Sequence, residues 1–266
     1  AEGHSTKASG EYSHAEGAIT EASGNYSHAE GMFSTASGTE SHAEGHSTKA
    51  SGEYSHAEGS DTEASGDQSH AEGYDTTASG IGSHAEGYFT RATNLNSHAE
   101  GNRTEASGKI SHAEGYDTTA SGIGSHAEGY YTNATGDYGS HAEGSQCAAQ
   151  GGASHAEGVA CKSIGQDAHA EGNTTVAEGD HSHSEGVGSY AKAKTSHAEG
   201  YWTVAASEAQ HIQGKVNIED ADGKYAHIVG NGYLEGSIQE GTQVRFPSNA
   251  HTLDWAGVPW FAGDRV

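Results

Sequence analysis

A histidine, a serine just before it and a glutamate two residues after it could move protons, ligate a metal or activate a nucleophile. This chain repeats that set every fourteen residues over most of its length. The pentapeptide Ser-His-Ala-Glu-Gly stands verbatim twelve times, from Ser13–Gly17 to Ser196–Gly200. Near copies lie at Ala168–Gly172 and Ser182–Gly186, and a worn one at Gln210–Gly214. The histidines are His14, His28, His42, His56, His70, His84, His98, His112, His126, His141, His155, His169, His183, His197 and His211. The glutamates that follow are Glu16, Glu30, Glu44, Glu58, Glu72, Glu86, Glu100, Glu114, Glu128, Glu143, Glu157, Glu171, Glu185 and Glu199. Every histidine interval is 14 except His126 to His141, which is 15 because one residue is added around Tyr138 and Gly139.

Repetition argues against catalysis, because a catalyst has one site rather than one in every repeat, and no nucleophile is singled out. A structural zinc site needs about four convergent ligands, whereas a repeated column offers one histidine per repeat and chain. The expectation is therefore a protein with no enzyme activity, no cofactor and no metal centre. Asp220-Ala221-Asp222-Gly223 reads as a β-turn rather than a calcium loop, since Asn231 stands where a bidentate Glu is expected. Glycosylation sequons at Asn102, Asn133 and Asn173 are expected by chance in a Thr-rich chain.

A fixed period of this size means one structural unit stacked many times, each touching mainly its neighbours. In residues 13–26, two alternating stretches, His14 to Gly17 and Ile19 to Ala22, are each followed by glycine-containing turn chemistry. Fourteen residues are too few for a strand plus a helix, and frequent Gly and Thr oppose a helical repeat. Two strands and two turns per repeat predict a flattened parallel β-solenoid of ~14 rungs, ~65–70 Å long at strand spacing. Side-chain alternation places Ser13, Ala15 and Gly17 inside with Thr20 and Ala22, and turns His14 and Glu16 outward. Cys147 and Cys161 occupy the Thr column in successive repeats. Two readings stand for them: buried thiols replacing Thr, which is the expectation, or a disulfide across rungs ~4.8 Å apart.

Only 32% of residues are hydrophobic, 40 are Gly and the formal charge is −25, so a thick globular core is excluded and any interior must be narrow. The acidity argues against nucleic acid and anionic membranes as partners. No apolar run reaches membrane-spanning length. The chain starts inside a repeat without Met, and a fragment of a longer protein is expected.

Comparison among repeats separates the outer columns. The position of Glu21 also holds Lys7, Thr35, Lys49, Arg91 and Thr119, as a solvated face would. The His and Glu columns scarcely change, so they are expected to meet the same columns of sister chains, as hydrogen-bonded ladders between several copies standing side by side. A neighbouring Glu is expected to raise the histidine pKa. Tyr12, Tyr26, Tyr54, Tyr74, Tyr88, Tyr116, Tyr130, Tyr131 and Tyr138 fall at or near turns, where exposed aromatics suit a host glycan or protein or merely cover turn edges.

The repeat resembles the head of YadA-like trimeric adhesins, whose short motif Ser-Val-Ala-Ile-Gly matches Ser13-His14-Ala15-Glu16-Gly17 with His and Glu in place of Val and Ile. The resemblance covers residues 1 to about 214 and implies a left-handed parallel β-roll, three side by side, with polar ladders where the family has apolar contacts. The segments Gln210–Lys215, Tyr225–Gly232, Ser248–Trp255 and Trp260–Asp264 resemble tail-fibre-type proteins of phages and prophages. Large apolar residues return after Gly200, and short strands are predicted at Val216–Ile218, Tyr225–Val229, Thr252–Trp255 and Pro259–Ala262, the last two as a hairpin around Ala256-Gly257. Residues 1–214 are thus expected to form the roll and 215–266 a β-rich cap or neck that locks three chains. The resemblances imply an extracellular, non-enzymatic segment of a tail fibre or related receptor-binding particle that attaches to a host surface. A bacterial surface adhesin of the trimeric autotransporter type is the alternative, and an ice-binding or metal-binding solenoid a further one.

Overall fold

Fourteen residues suffice for one circuit of a coil, so each strand returns beside its own copy in the previous repeat, parallel and in register. In the computed structural model of the chain, the described residues are 1–231 together with the strands Tyr233–Glu235, Ser237–Gln239 and Val244–Pro247. Strands form throughout and no helix occurs among the described residues. The predicted strands at Thr252–Trp255 and Pro259–Ala262, and the hairpin between them, lie outside the described residues.

The chain divides into two compact units, Ala1–Gly139 and Ser140 onward. In the first, a five-residue strand opens at each repeat histidine, as in His14–Ala18 and His28–Met32, and a two-residue strand follows, as in Glu21–Ala22 and Thr35–Ala36. Neighbouring copies pair parallel, His14 on His28, Ala15 on Ala29, Glu16 on Glu30 and Gly17 on Gly31. The short strands stack separately, Glu21 on Thr35 and Ala22 on Ala36. The second unit repeats this arrangement from His141–Ser145 to His211–Lys215. It then adds Tyr225–Asn231 as a further parallel rung, with His227 opposite His211. Parallel stacking thus extends beyond residue 214, and Val244–Pro247 closes against Tyr225–Asn231 in antiparallel fashion. Residues Val216–Ile218, expected as a strand, form none, because Val216 turns the chain through a left-handed φ of 44°.

The interior is a file of small side chains. Ala29, Ala43, Ala22 and Ala36 are fully buried, and Ser27 and Thr20 are 1% exposed. The serine hydroxyl has a defined task there: Ser27 Oγ donates to the Gly24 carbonyl at 2.7 Å and closes the turn that precedes the long strand. The same bond recurs from Ser41 to Gly38 and from Ser111 to Gly108. Near the end of the second unit the filling grows, with Ile212 and Ile228 fully buried and Gln210 1% exposed. The Gln210 amide keeps its polar atoms bonded by donating to the Tyr225 carbonyl at 2.9 Å and accepting from the Ala206 N–H at 3.0 Å. Asp220 does the same for the following turn, its carboxylate accepting from the Tyr225 N–H at 2.8 Å. That is the β-turn reading of Asp220–Gly223.

Two expectations about the repeat are corrected. The column of Gly17 is half-buried to exposed rather than interior, with Gly17 half-buried and Gly101 exposed. A Cβ on Gly101 would lie 2.3 Å from the Gly115 carbonyl oxygen, and φ there is +110°. Glycine is needed for the approach of the next rung, not to fill the inside. The stretch Ile19 to Ala22 is strand only at Glu21–Ala22, because Ile19 sits at φ 59°. Its N–H still donates to the His4 carbonyl at 2.8 Å, so the ladder bonds carry through this bend.

Gly101→Ala is therefore expected to lower stability by at least about 2 kcal/mol, from backbone strain and a backbone clash that no rotamer relieves. The measurement is the melting temperature together with amide exchange in residues 98–129. The half-buried end-of-strand change Ser60→Ala, which removes only a bond to the neighbouring Asp61 carboxylate, should leave both unchanged.

Candidate functional site

Alternation along each long strand fixes the site. Ala85 is fully buried between His84 and Glu86, so both of these turn outward. Because the pairing is in register, each unit carries one continuous row of imidazoles beside one continuous row of carboxylates. All the repeat histidines and glutamates named from the sequence lie in these two columns. His227 joins the row through its pairing with His211. It was not anticipated, because two inserted residues break the period, but the pattern His227-Ile228-Val229-Gly230 after His211-Ile212-Gln213-Gly214 marks it.

Neighbouring imidazoles stack at rung spacing. Ring centroids of His42 and His56 are 4.8 Å apart with planes 3° apart, and those of His169 and His183 are 4.9 Å and 0° apart. The carboxylates flank this stack. In the first unit His70 Nε2 lies 3.6 Å from Glu72 of its own rung, whereas His126 lies 3.5 Å from Glu114 of the rung before. In the second unit the cross-rung partner dominates, as for His183 with Glu171 at 3.7 Å. The side chains of His183 and Glu171 stay about one-third exposed, 35% and 33%. His84 Nε2 and His183 Nε2 are shielded from solvent and make no hydrogen bond, since their carboxylates stand too far off.

Several His-Glu-His groups, such as His98, Glu100 and His112, hold ligand atoms within 4.8 Å of one another. The planes of His98 and His112 are only 8° apart, so their Nε2 lone pairs run alongside each other rather than meeting at one point. Such a row suits stacking better than the convergent geometry of a metal centre.

At five histidines the electrostatic expectation is reversed. At His56, His98, His155 and His183 the pKa is lowered, first by withdrawal from water and then by neighbouring histidines, against the opposing pull of the glutamates. His227 is lowered for the same two reasons. The nearby carboxylates raise these imidazoles less than partial burial, and then the stacked imidazoles, lower them.

The Thr column is interior, with Thr76, Thr90 and Thr118 fully buried, so the ladder that an ice-binding surface would need does not face water. Cys147 and Cys161 fill that column as free, buried thiols. Cys161 donates to the Gly172 carbonyl at 3.3 Å and accepts from the Thr175 hydroxyl at 3.2 Å. The Cys147 thiol is held above its usual range by its hydrogen bond with Cys161 and by burial.

The tyrosines fall on two separate edges of the coil. Tyr12, Tyr26, Tyr54 and Tyr138 occupy the left-handed position of the turn after the short strand. Tyr74, Tyr88, Tyr116 and Tyr130 end long strands, with Tyr131 one residue beyond. Beside the glutamates of the second unit runs a trough of about 770 Å³, floored by Gly158, Gly172 and Gly186 and walled by Glu143, Glu157 and Glu171. No protein-family model matches the chain, and no curated protein sequence matches it.

Neutral imidazoles favour the folded state here, because the folded pKa lies below the unfolded value of about 6.5. The stability they contribute is complete above about pH 6.5 and is lost as pH falls through the lowered folded values. Melting temperature measured from pH 8 to pH 5 is expected to hold steady and then drop below about pH 6.5. A melting temperature that rises over that interval would restore the opposite sign.

Proposed function

We propose that this chain is a non-enzymatic, homotrimeric fibre segment that attaches a phage tail or related receptor-binding particle to a host cell surface. Three left-handed rolls stand side by side, and residues 215–266 act as the cap or neck that holds them together. The observation that carries this reading is the pairing of an interior filled only by Ala, Ser, Thr and Cys through most of the coil with an outer face of unvarying His and Glu. An interior of that size buries little apolar area per turn. An unvarying half-buried face is what a fixed partner requires, while the Lys7, Glu21 and Thr35 column shows what solvent permits.

The shapes support the same reading. The glycine-floored trough beside the glutamates of the second unit is open enough for side chains of a neighbouring chain to enter. A contact between two different faces is head-to-tail, and a contact of that type closes into a ring when the rotation allows. Between sister chains the stacked imidazoles could reach carboxylates that stand 3.5–4.0 Å away within one chain. Exposed aromatic rings on the outer edges supply contact surface away from that axis.

The test is binding of the fluorescently labelled chain to intact cells of a panel of bacterial strains. Saturable binding confined to a subset of strains, competed by the unlabelled chain, is the expected result. Uniform absence of binding across the panel would count against attachment as the role.

A further inference from the structure

The outer surface of the first unit contains the same aromatic constellation twice. Residues 69–88 are identical to residues 111–130, a separation of three repeats, or about 14 Å at rung spacing. In the first copy Tyr74 and Tyr88 stack with centroids 5.1 Å and planes 16° apart. Phe89 stands upright against both, 4.5 Å and 82° from Tyr88 and 5.7 Å and 85° from Tyr74. In the second copy Tyr116 and Tyr130 stack at 5.3 Å and 20°. Tyr131 takes the upright place, 4.5 Å and 89° from Tyr130 and 5.6 Å and 71° from Tyr116. The strand register runs without a break from Tyr74 through Tyr88 and Asn102 to Tyr116 and Tyr130, so the two corners share one edge.

Nothing in the coil demands this. The same column holds Ala18, Met32, His46 and Ser60 in earlier rungs, which fold identically. Phe89 and Tyr131 also hold left-handed φ values of 57° and 56°, a position that favours Gly or Asn over an aromatic. Five of the six rings nonetheless remain 37–49% exposed, and Tyr116 is half-buried. An acidic residue, Asp75 or Asp117, follows the first tyrosine of each corner.

We propose that these two corners are paired subsites for a neutral, linear polysaccharide, an inference that rests on the attachment role above and names its ligand class. A rigid corner of aromatic surface matches the apolar C–H face of a pyranose ring. Tyrosine hydroxyls and the Asp75 or Asp117 carboxylate can bond the hydroxyls at the sugar rim. Two equal sites at a fixed interval fit a ligand that itself repeats, whereas a folded protein partner presents a given patch once. A formal charge of −25 and the adjacent carboxylates disfavour anionic polymers.

The probe is an array of purified neutral and anionic bacterial capsular and O-antigen polysaccharides, followed by titration calorimetry with the full chain. At least one neutral polymer is expected to bind. The double change Tyr88→Ala with Tyr130→Ala should weaken it by at least about 100-fold, and each single change less, because one corner remains in each. Tyr88→Phe with Tyr130→Phe keeps the aromatic corners and should stay within about 10-fold of the parent, which separates ring loss from misfolding. Binding to anionic polymers in preference, no binding to any neutral polymer, or undiminished binding by the double Ala variant would each overturn the proposal. Undiminished attachment of that variant to cells would sink the subsites and leave the fibre role standing. Loss of cell attachment by the parent chain itself would sink the fibre role.

Discussion

The spacing between one rung and the next governs everything else in this molecule. Backbone hydrogen bonding holds successive strands about 4.8 Å apart, and the coil must return to that spacing every fourteen residues. The Gly101 position shows how little room remains, since even a methyl group there would sit 2.3 Å from the next rung's carbonyl oxygen. The same spacing imposes stacking on whatever a column contains. Alanine, serine and threonine stack inside, imidazoles stack face to face outside, and tyrosines stack where they coincide on an edge. A column is therefore the natural unit of chemistry here, and one residue matters through its copies above and below.

That constraint explains why the histidine row behaves unlike an isolated histidine beside a carboxylate. Each imidazole is sandwiched between two others 4.6–4.9 Å away through most of both units. At His56, His98, His155 and His183 partial withdrawal from water, and then the neighbouring imidazoles, favour the neutral form despite the nearby glutamates. His84 and His183, whose shielded nitrogens make no hydrogen bond, mark a surface still short of partners. In the proposed assembly the sister chains supply them, and the carboxylates gain donors that relieve their mutual repulsion.

Much of this was legible in the residues. The fourteen-residue period and the size limit it places on interior side chains are enough to predict a parallel solenoid and to put Ser, Ala and Thr inside. Strand alternation placed His and Glu on one outer face. Gly17 was misassigned to the interior because alternation counts positions but not backbone angles, and its φ of 113° takes it out of the pleat. Ile19 was read as strand because it opens an alternating stretch that ends in a glycine turn, whereas rung-to-rung bonding holds it at φ 59°. The direction of the histidine shifts was missed by weighing one glutamate neighbour and not withdrawal from water or the neighbouring histidines. The tyrosines looked like one population until the fold separated them onto two edges. The identity of residues 69–88 and 111–130 was visible in the sequence, but only the stacked register shows that it builds two equal aromatic corners.

The central claim is that so thin a coil stands by association along its His and Glu face. Multi-angle light scattering on the purified chain, in dilute solution at pH 7.5, tests it most directly. The account predicts a folded species of three times 27.2 kDa, with no folded single chain at the lowest measurable concentration. A monodisperse, β-structured species of 27.2 kDa would contradict it.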